Sequence, residues 1–248
     1  MNLDNQQIGI KQILRLEWLD YAASLRAQGY DNKDVKAILS DYVKCKSGTG
    51  GDKTRGKFAT SQIVNMIYKI WFKPIKQIDG FRQTALGYYI NSPSSKVAVN
   101  WAVLSVAYPF WINVGRQIGR LLNLQGSITK KQIILRIIEQ YGDRETVRRY
   151  ARYTIRSYVA WGLLNDKGSG EYYSGEKVII DGPAELAILF ESILLSKQQP
   201  IHLKALSNDP CLFCFQFPET SRYDLFSDSP RMELIPSIED DIVKLRIG

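Results

Sequence analysis

Residues 127–181 read SITKKQIILRIIEQYGDRETVRRYARYTIRSYVAWGLLNDKGSGEYYSGEKVIID. Ser127-Ile128-Thr129 opens a helix that is predicted to run to about Tyr141, because Ile133, Ile134, Ile137 and Ile138 recur at helical spacing and make one apolar face. Gly142 supplies a sharp turn. Asp143 is placed to cap a second helix, and Glu145 falls near the positive end of its dipole. This helix is predicted to run to about Trp161, where Gly162 ends it and Leu163-Leu164 leads onward. Asp166–Gly170 is turn-rich. Glu171–Ser174 and Lys177–Asp181 read as two short strands, with Ser174-Gly175-Glu176 between them.

The second helix divides into two arcs. At 100° per residue, Val147, Ala151, Thr154, Ile155, Tyr158 and Trp161 share one side. Arg144, Arg148, Arg149, Arg152 and Arg156 share the adjacent side, with Glu145 the only acid among them. A face that is merely solvated is expected to mix its charges. Arginine carries a planar fork that grips phosphate or the O6/N7 edge of guanine, and a helix fits the major groove of B-DNA. Lys130 and Lys131, at the start of the preceding helix, are placed to meet the DNA backbone. Lys167 and Lys177 in the hairpin are placed to reach a flanking groove.

Helix, tight turn, helix and hairpin is the element order of a winged helix-turn-helix. TVRRYARYTIRSYVAWGLL followed by NDKGSGEYYSGEKVIID resembles the recognition helix and wing of that superfamily over about 55 residues. The whole layout is loosely similar to the small BrxA-type accessory proteins of bacterial phage-exclusion (BREX) systems. That resemblance implies a non-enzymatic binder of double-stranded DNA within a prokaryotic multiprotein defence system. Superfamily membership says little about function, so the alternative is a scaffold or adaptor whose winged helix and acidic tail hold other protein subunits, such as an ATPase or nuclease.

Outward from this module the chain is mainly α. A helical N-terminal body precedes the winged helix-turn-helix, and an irregular α+β C-terminal segment follows it. The expected divisions are N-terminal helices over 1–46, a flexible basic loop over 47–57, a helical bundle over 58–126, the winged module over 127–181, and an acidic segment over 182–248. Leu14, Trp18, Tyr21, Ala22 and Leu25 mark one helix; Gly29 ends it and Asp31 is placed to cap the next, striped by Val35, Ile38, Leu39 and Tyr42. Phe58–Phe72 is helical, with Thr60 or Ser61 as its cap, and stops before Lys73-Pro74. Phe81–Ile90 is a short amphipathic helix. Val97–Leu124 reads as one long helix bent at Pro109, closed by Gly126.

Charge is unevenly placed. The chain has 248 residues and a net charge of +8, but residues 181–248 carry 11 acids and 6 bases. The rest is therefore strongly basic, as a polyanion binder requires. In the acidic tail, Phe213, Phe215, Phe217, Leu225, Phe226, Leu234, Ile235, Ile242 and Val243 are too apolar for a free segment, so it is expected to pack on the body or a partner. Three cysteines, Cys45, Cys211 and Cys214, are too few for a disulfide scaffold and suit a reducing compartment. Asp4, Lys11 and Arg15 interrupt any signal-peptide run, and Val97–Ile112 is too short and polar to span a bilayer, so a cytoplasmic location is expected.

Other motifs carry little. Gly48-Thr49-Gly50-Gly51-Asp52-Lys53-Thr54 echoes a phosphate loop, but Asp52 separates Gly51 from Lys53 and no apolar strand precedes it. Lys53, Arg55 and Lys57 are instead auxiliary candidates for phosphate contact. Cys211-Leu212-Phe213-Cys214 is half a zinc site, with only His202 and distant Cys45 to complete it. No catalytic residues, metal site or cofactor are expected.

Overall fold

The first helices pack by stacking aromatic and aliphatic stripes. In the computed structural model, which describes residues 8–30, 34–45, 56–91, 96–168, 170–180, 182–217, 226 and 231–246, the protein is mainly helical. Helix α1 (Leu16–Ala27) meets α2 (Val35–Cys45) through Tyr21 stacked on Tyr42, with ring centroids 3.9 Å apart. Asp31 and residues 46–55, including Lys53 and Arg55, lie outside the described residues. Helix α3 (Lys57–Trp71) starts without a side-chain cap; Gly56 precedes it, and Thr60 is buried within its first turn. The expected Thr60 or Ser61 cap is therefore wrong by a full turn. Helix α4 (Lys76–Asn91) turns its Arg82 back onto the end of α3, donating to the carbonyls of Lys69, Ile70 and Lys73 and to Asp79 Oδ1. One buried guanidinium thus satisfies several carbonyls left over by helix α3.

The long run after residue 96 is two helices. Helix α5 (Lys96–Ala107) and α6 (Pro109–Gln125) turn by 115° at Tyr108–Pro109. Proline serves as the first residue of α6, where its missing N–H breaks no bond, and Tyr108 before it is driven to non-helical backbone. The expected bend is therefore a break. Every residue from Ala98 to Ala107 is buried. Asn100 is satisfied inside, accepting from Trp71 Nε1 at 3.1 Å and donating to the Lys96 carbonyl at 3.0 Å. Among the described residues no single helix is long and apolar enough to cross a membrane.

The following stretch runs β1 (Ser127–Thr129), α7 (Lys130–Tyr141), α8 (Glu145–Ala160), β2 (Leu164–Asp166) and β3 (Glu171–Ser174). The strands form one antiparallel sheet ordered β1-β3-β2, with Ile128 opposite Tyr172 and Leu164 opposite Ser174. Two expectations are corrected here. Ser127–Thr129 is a strand rather than the first helical turn; Thr129 ends it and caps α7 in a reciprocal capping box with Gln132. The hairpin pairs β2 with β3 across 167–170, not 171–174 with 177–181. Gly175 carries the chain away, because a Cβ there would lie 1.9 Å from the Gly162 carbonyl oxygen.

The C-terminal segment is far less irregular than its acidity implied. Strand β4 (Val178–Ile179) leaves the hairpin and pairs in parallel with β6 (Phe215–Gln216). Helix α9 (Pro183–Lys197) is buried continuously from Glu185 to Ser196 and lies against α5, with Glu185, Glu191, Ser192 and Ser196 buried among its apolar side chains. Strands β5 (Ile201–His202), β7 (Met232–Ile235) and β8 (Ile242–Leu245) form a second antiparallel sheet ordered β5-β8-β7. Helix α10 (Leu203–Ser207) and a 3-10 turn (Pro210–Leu212) connect these parts. Phe213, Phe215, Phe226 and Val243 join one core that begins at Ile10, while Ile235 stays exposed; Leu225 lies outside the described residues. Close contact with α6 needs Gly119, whose Cβ would sit 1.8 Å from the Pro210 carbonyl oxygen.

Candidate nucleic-acid interface

Helix α8 is fixed from its inner side. Val147, Ala151, Thr154, Ile155 and Tyr158 are buried, as is Trp161 just beyond the helix. Tyr158 stacks on Trp111 of α6 at 4.1 Å and donates to the Trp111 carbonyl at 3.3 Å. The extended segment before α1 crosses the end of α8: Leu14 N donates to Ser157 Oγ at 2.9 Å, and Trp161 Nε1 donates to the Leu14 carbonyl at 3.0 Å. A Cβ on Gly115 would fall 2.2 Å from the Tyr158 hydroxyl, so glycine there lets α6 and α8 approach closely. The result is a rigid helix with one face in the core.

The other face carries the arginines. Arg144, Arg149, Arg152 and Arg156 are exposed, and Arg148 is partly so. Arg144 donates back to the Tyr141 carbonyl at 3.0 Å, closing the end of α7. Arg149 lies over its neighbour Tyr150, 5.5 Å from the ring centroid. Asp143 does not cap α8. Arg144 is the residue preceding the helix, and no side chain caps it. Instead Asp143 accepts two bonds from Arg148, from Nε and Nη2, both at 2.6 Å. Those bonds hold the Asp143 carboxyl below its ordinary range and raise the Arg148 pKa. Glu145 accepts from Arg152 Nη1 at 3.1 Å. Seven residues are nearly two turns, which stacks Glu145 and Arg152 on one side. The face thus holds five arginines and two acids, not one. Neither pair has the three- or four-residue spacing that marks neighbours on a helix surface, so the sequence alone did not show them.

The surrounding lysines divide. Lys130 and Lys131 are exposed on the first turn of α7, where a cation is disfavoured by the helix dipole. Lys167 lies in the hairpin turn, 5.0 Å from the centroid of Tyr173. Lys177 is not in that hairpin; its ammonium donates to the Phe213 carbonyl and ties β4 to the C-terminal segment. It therefore lies outside the hairpin in which it was expected, although its side chain is exposed. Lys57 is exposed at the start of α3.

The remaining candidates are structural. Cys211 and Cys214 are buried, and burial pushes both thiols up. Cys211 lies within the 3-10 turn and Cys214 just after it, so they do not share a strand. His202 sits at the surface near Asp240. Among the described residues no group of three or more His, Cys, Asp or Glu side chains is placed to hold a metal ion. One cavity of about 240 Å³ is lined by Arg26, Trp71, Phe72 and Arg82, and another of about 350 Å³ by Arg120, Leu124, Arg136 and Glu139; neither is lined by α8. No protein-family model, curated protein or solved structure matches the chain.

Proposed function

We propose that this protein is a winged helix-turn-helix binder of double-stranded DNA, with α8 as the element that enters the major groove. The observation that carries the reading is the two-sidedness of α8: an inner face locked into the core and an outer face of four arginines, with Arg144 just before the helix. The order α7, α8, β2, β3, with β1 pairing β3 to complete a β1-β3-β2 sheet, supports the same class. Lys130 and Lys131 flank the helix and Lys167 extends from the hairpin. The chain acts as a binding protein rather than an enzyme, in the cytoplasm, within a prokaryotic multiprotein system of the phage-exclusion kind. The adaptor alternative draws on the two ion pairs that already occupy Arg148 and Arg152.

Duplex binding measured by fluorescence anisotropy across a salt series tests the proposal. The Arg148/Arg152/Arg156 triple alanine variant is expected to stay folded, bind all duplexes more weakly and lose slope, roughly one unit for each phosphate-contacting arginine removed. A folded triple variant with unchanged affinity and slope would transfer the lead to the adaptor role.

A further inference from the structure

Asp143 and Glu145 occupy the same exposed end of α8 as the arginines, and each holds one of them. Asp143 takes Arg148 in a two-point bond; Glu145 takes Arg152 across two helical turns. Both acids are more exposed than the arginines they hold, with 59% and 69% of their side chains accessible against 34% and 46%. A polyanion approaching this end of the face can therefore reach both carboxylates.

We propose that Asp143 and Glu145 act as a specificity filter on the DNA-binding face. This rests on the DNA-binding reading of α8. Two effects follow from the geometry. A phosphate competes with a carboxylate for the donors that Arg148 and Arg152 already give, and at their remaining donors it is repelled by the carboxylate beside it. Like-charge juxtaposition of this kind suppresses wrong partners more than it changes right ones. The fork of Arg148, held at two points, is also aimed in one direction, which favours a base edge presented at one place over a phosphate arriving anywhere along the backbone. Arg149 and Arg156 are exposed and outside these two pairs, and they are left to make the general backbone contacts.

Both acids also lie near the positive end of the α8 dipole, which alone is a reason for carboxylates there. The test must separate the two roles. D143N, E145Q and the double variant keep the side-chain shape and remove the charge. Binding to a mixed-sequence duplex is measured over a salt series, and the variants are used alongside the natural chain to select from a random duplex pool. Thermal melts of the free proteins report the dipole contribution separately.

The double variant is expected to bind the mixed-sequence duplex more tightly, with a salt slope steeper by roughly one to two units as Arg148 and Arg152 become free for phosphate. Its selected pool is expected to show weaker sequence enrichment. Unchanged affinity and enrichment, with only a lower melting temperature, would leave the acids as dipole residues and overturn the filter. Weaker binding would also overturn it, because the acids would then be aiming the arginines productively at phosphate. If the natural chain and all variants ignore duplex DNA at low salt, the DNA-binding reading itself fails and takes the filter with it.

Discussion

Helices α8 and α9 are of similar length and lie on opposite sides of the hairpin in the chain, yet their environments differ completely. Helix α8 is half core and half charge. Helix α9 has no exposed side from Glu185 to Ser196, although it opens the part of the chain with excess acid. Its two buried acids sit in the core rather than on a surface; Glu191 is paired with Arg231, and burial still raises its carboxyl pKa. Net charge along a segment therefore says little about where the segment lies. Residue-by-residue pattern says more: apolar side chains on one arc of α8 leave the rest for solvent, while the predominantly apolar α9 is buried on every side, its few polar groups included.

The contrast is broken most sharply by placing a charge in each helix. Leu189→Asp in α9 puts an unpaired carboxylate at a fully buried position. It is expected to cost several kcal/mol and to abolish cooperative unfolding in urea followed by circular dichroism. Arg149→Ala in α8 should shift stability by less than about 0.5 kcal/mol in the same assay. Comparable losses in the two variants would mean that the arginine face is part of the fold.

A smaller effect tests how the C-terminal segment is anchored. Asp209 is buried and accepts from Arg116 at 2.9 Å and from Lys197 at 2.9 Å. Burial works to raise its pKa, but those cations and the Cys211 thiol hold it down at about 2, against 3.8 for a free aspartate. The folded pKa is the lower one, so the contribution is present above the unfolded value and is lost as pH falls through about 4 towards 2. It amounts to about 2 kcal/mol. Chemical denaturation at pH 6 and pH 3 should show about half of that loss in the natural chain and a smaller one in Asp209→Asn. Equal pH dependence in both would remove Asp209 as the anchor.

The smallest effect sharpens the border of the arginine face. Lys177→Ala should leave duplex affinity and salt slope unchanged, because its ammonium is engaged with the Phe213 carbonyl. It should lower stability by about 1 kcal/mol through the lost hydrogen bond. A reduced salt slope would return Lys177 to the interface.

The candidate face itself was largely legible in sequence. The buried arc Val147, Ala151, Thr154, Ile155, Tyr158 and Trp161 and the exposed arginines follow from helical geometry alone. The pairing of those arginines did not come through, because Asp143 satisfied a capping rule that α8 does not use. Strand placement failed where partners are distant. Lys177–Asp181 has a strand's composition, but its edge belongs to Phe215–Gln216, and nothing local distinguishes that partner from Glu171–Ser174.

By itself, then, the sequence determined what periodicity and local chemistry can carry: most helices before the hairpin, the interruption at Pro109 and the two-faced α8. Tertiary structure decided what depends on residues far apart in the chain. Proline stops a helix locally, but the 115° turn it permits is set by packing of α5 and α6 in the common core. The acidic segment became the centre of the molecule because α9 fits against α5, and because Gly119 lets residue 210 approach α6 closely enough for Arg116 to reach Asp209.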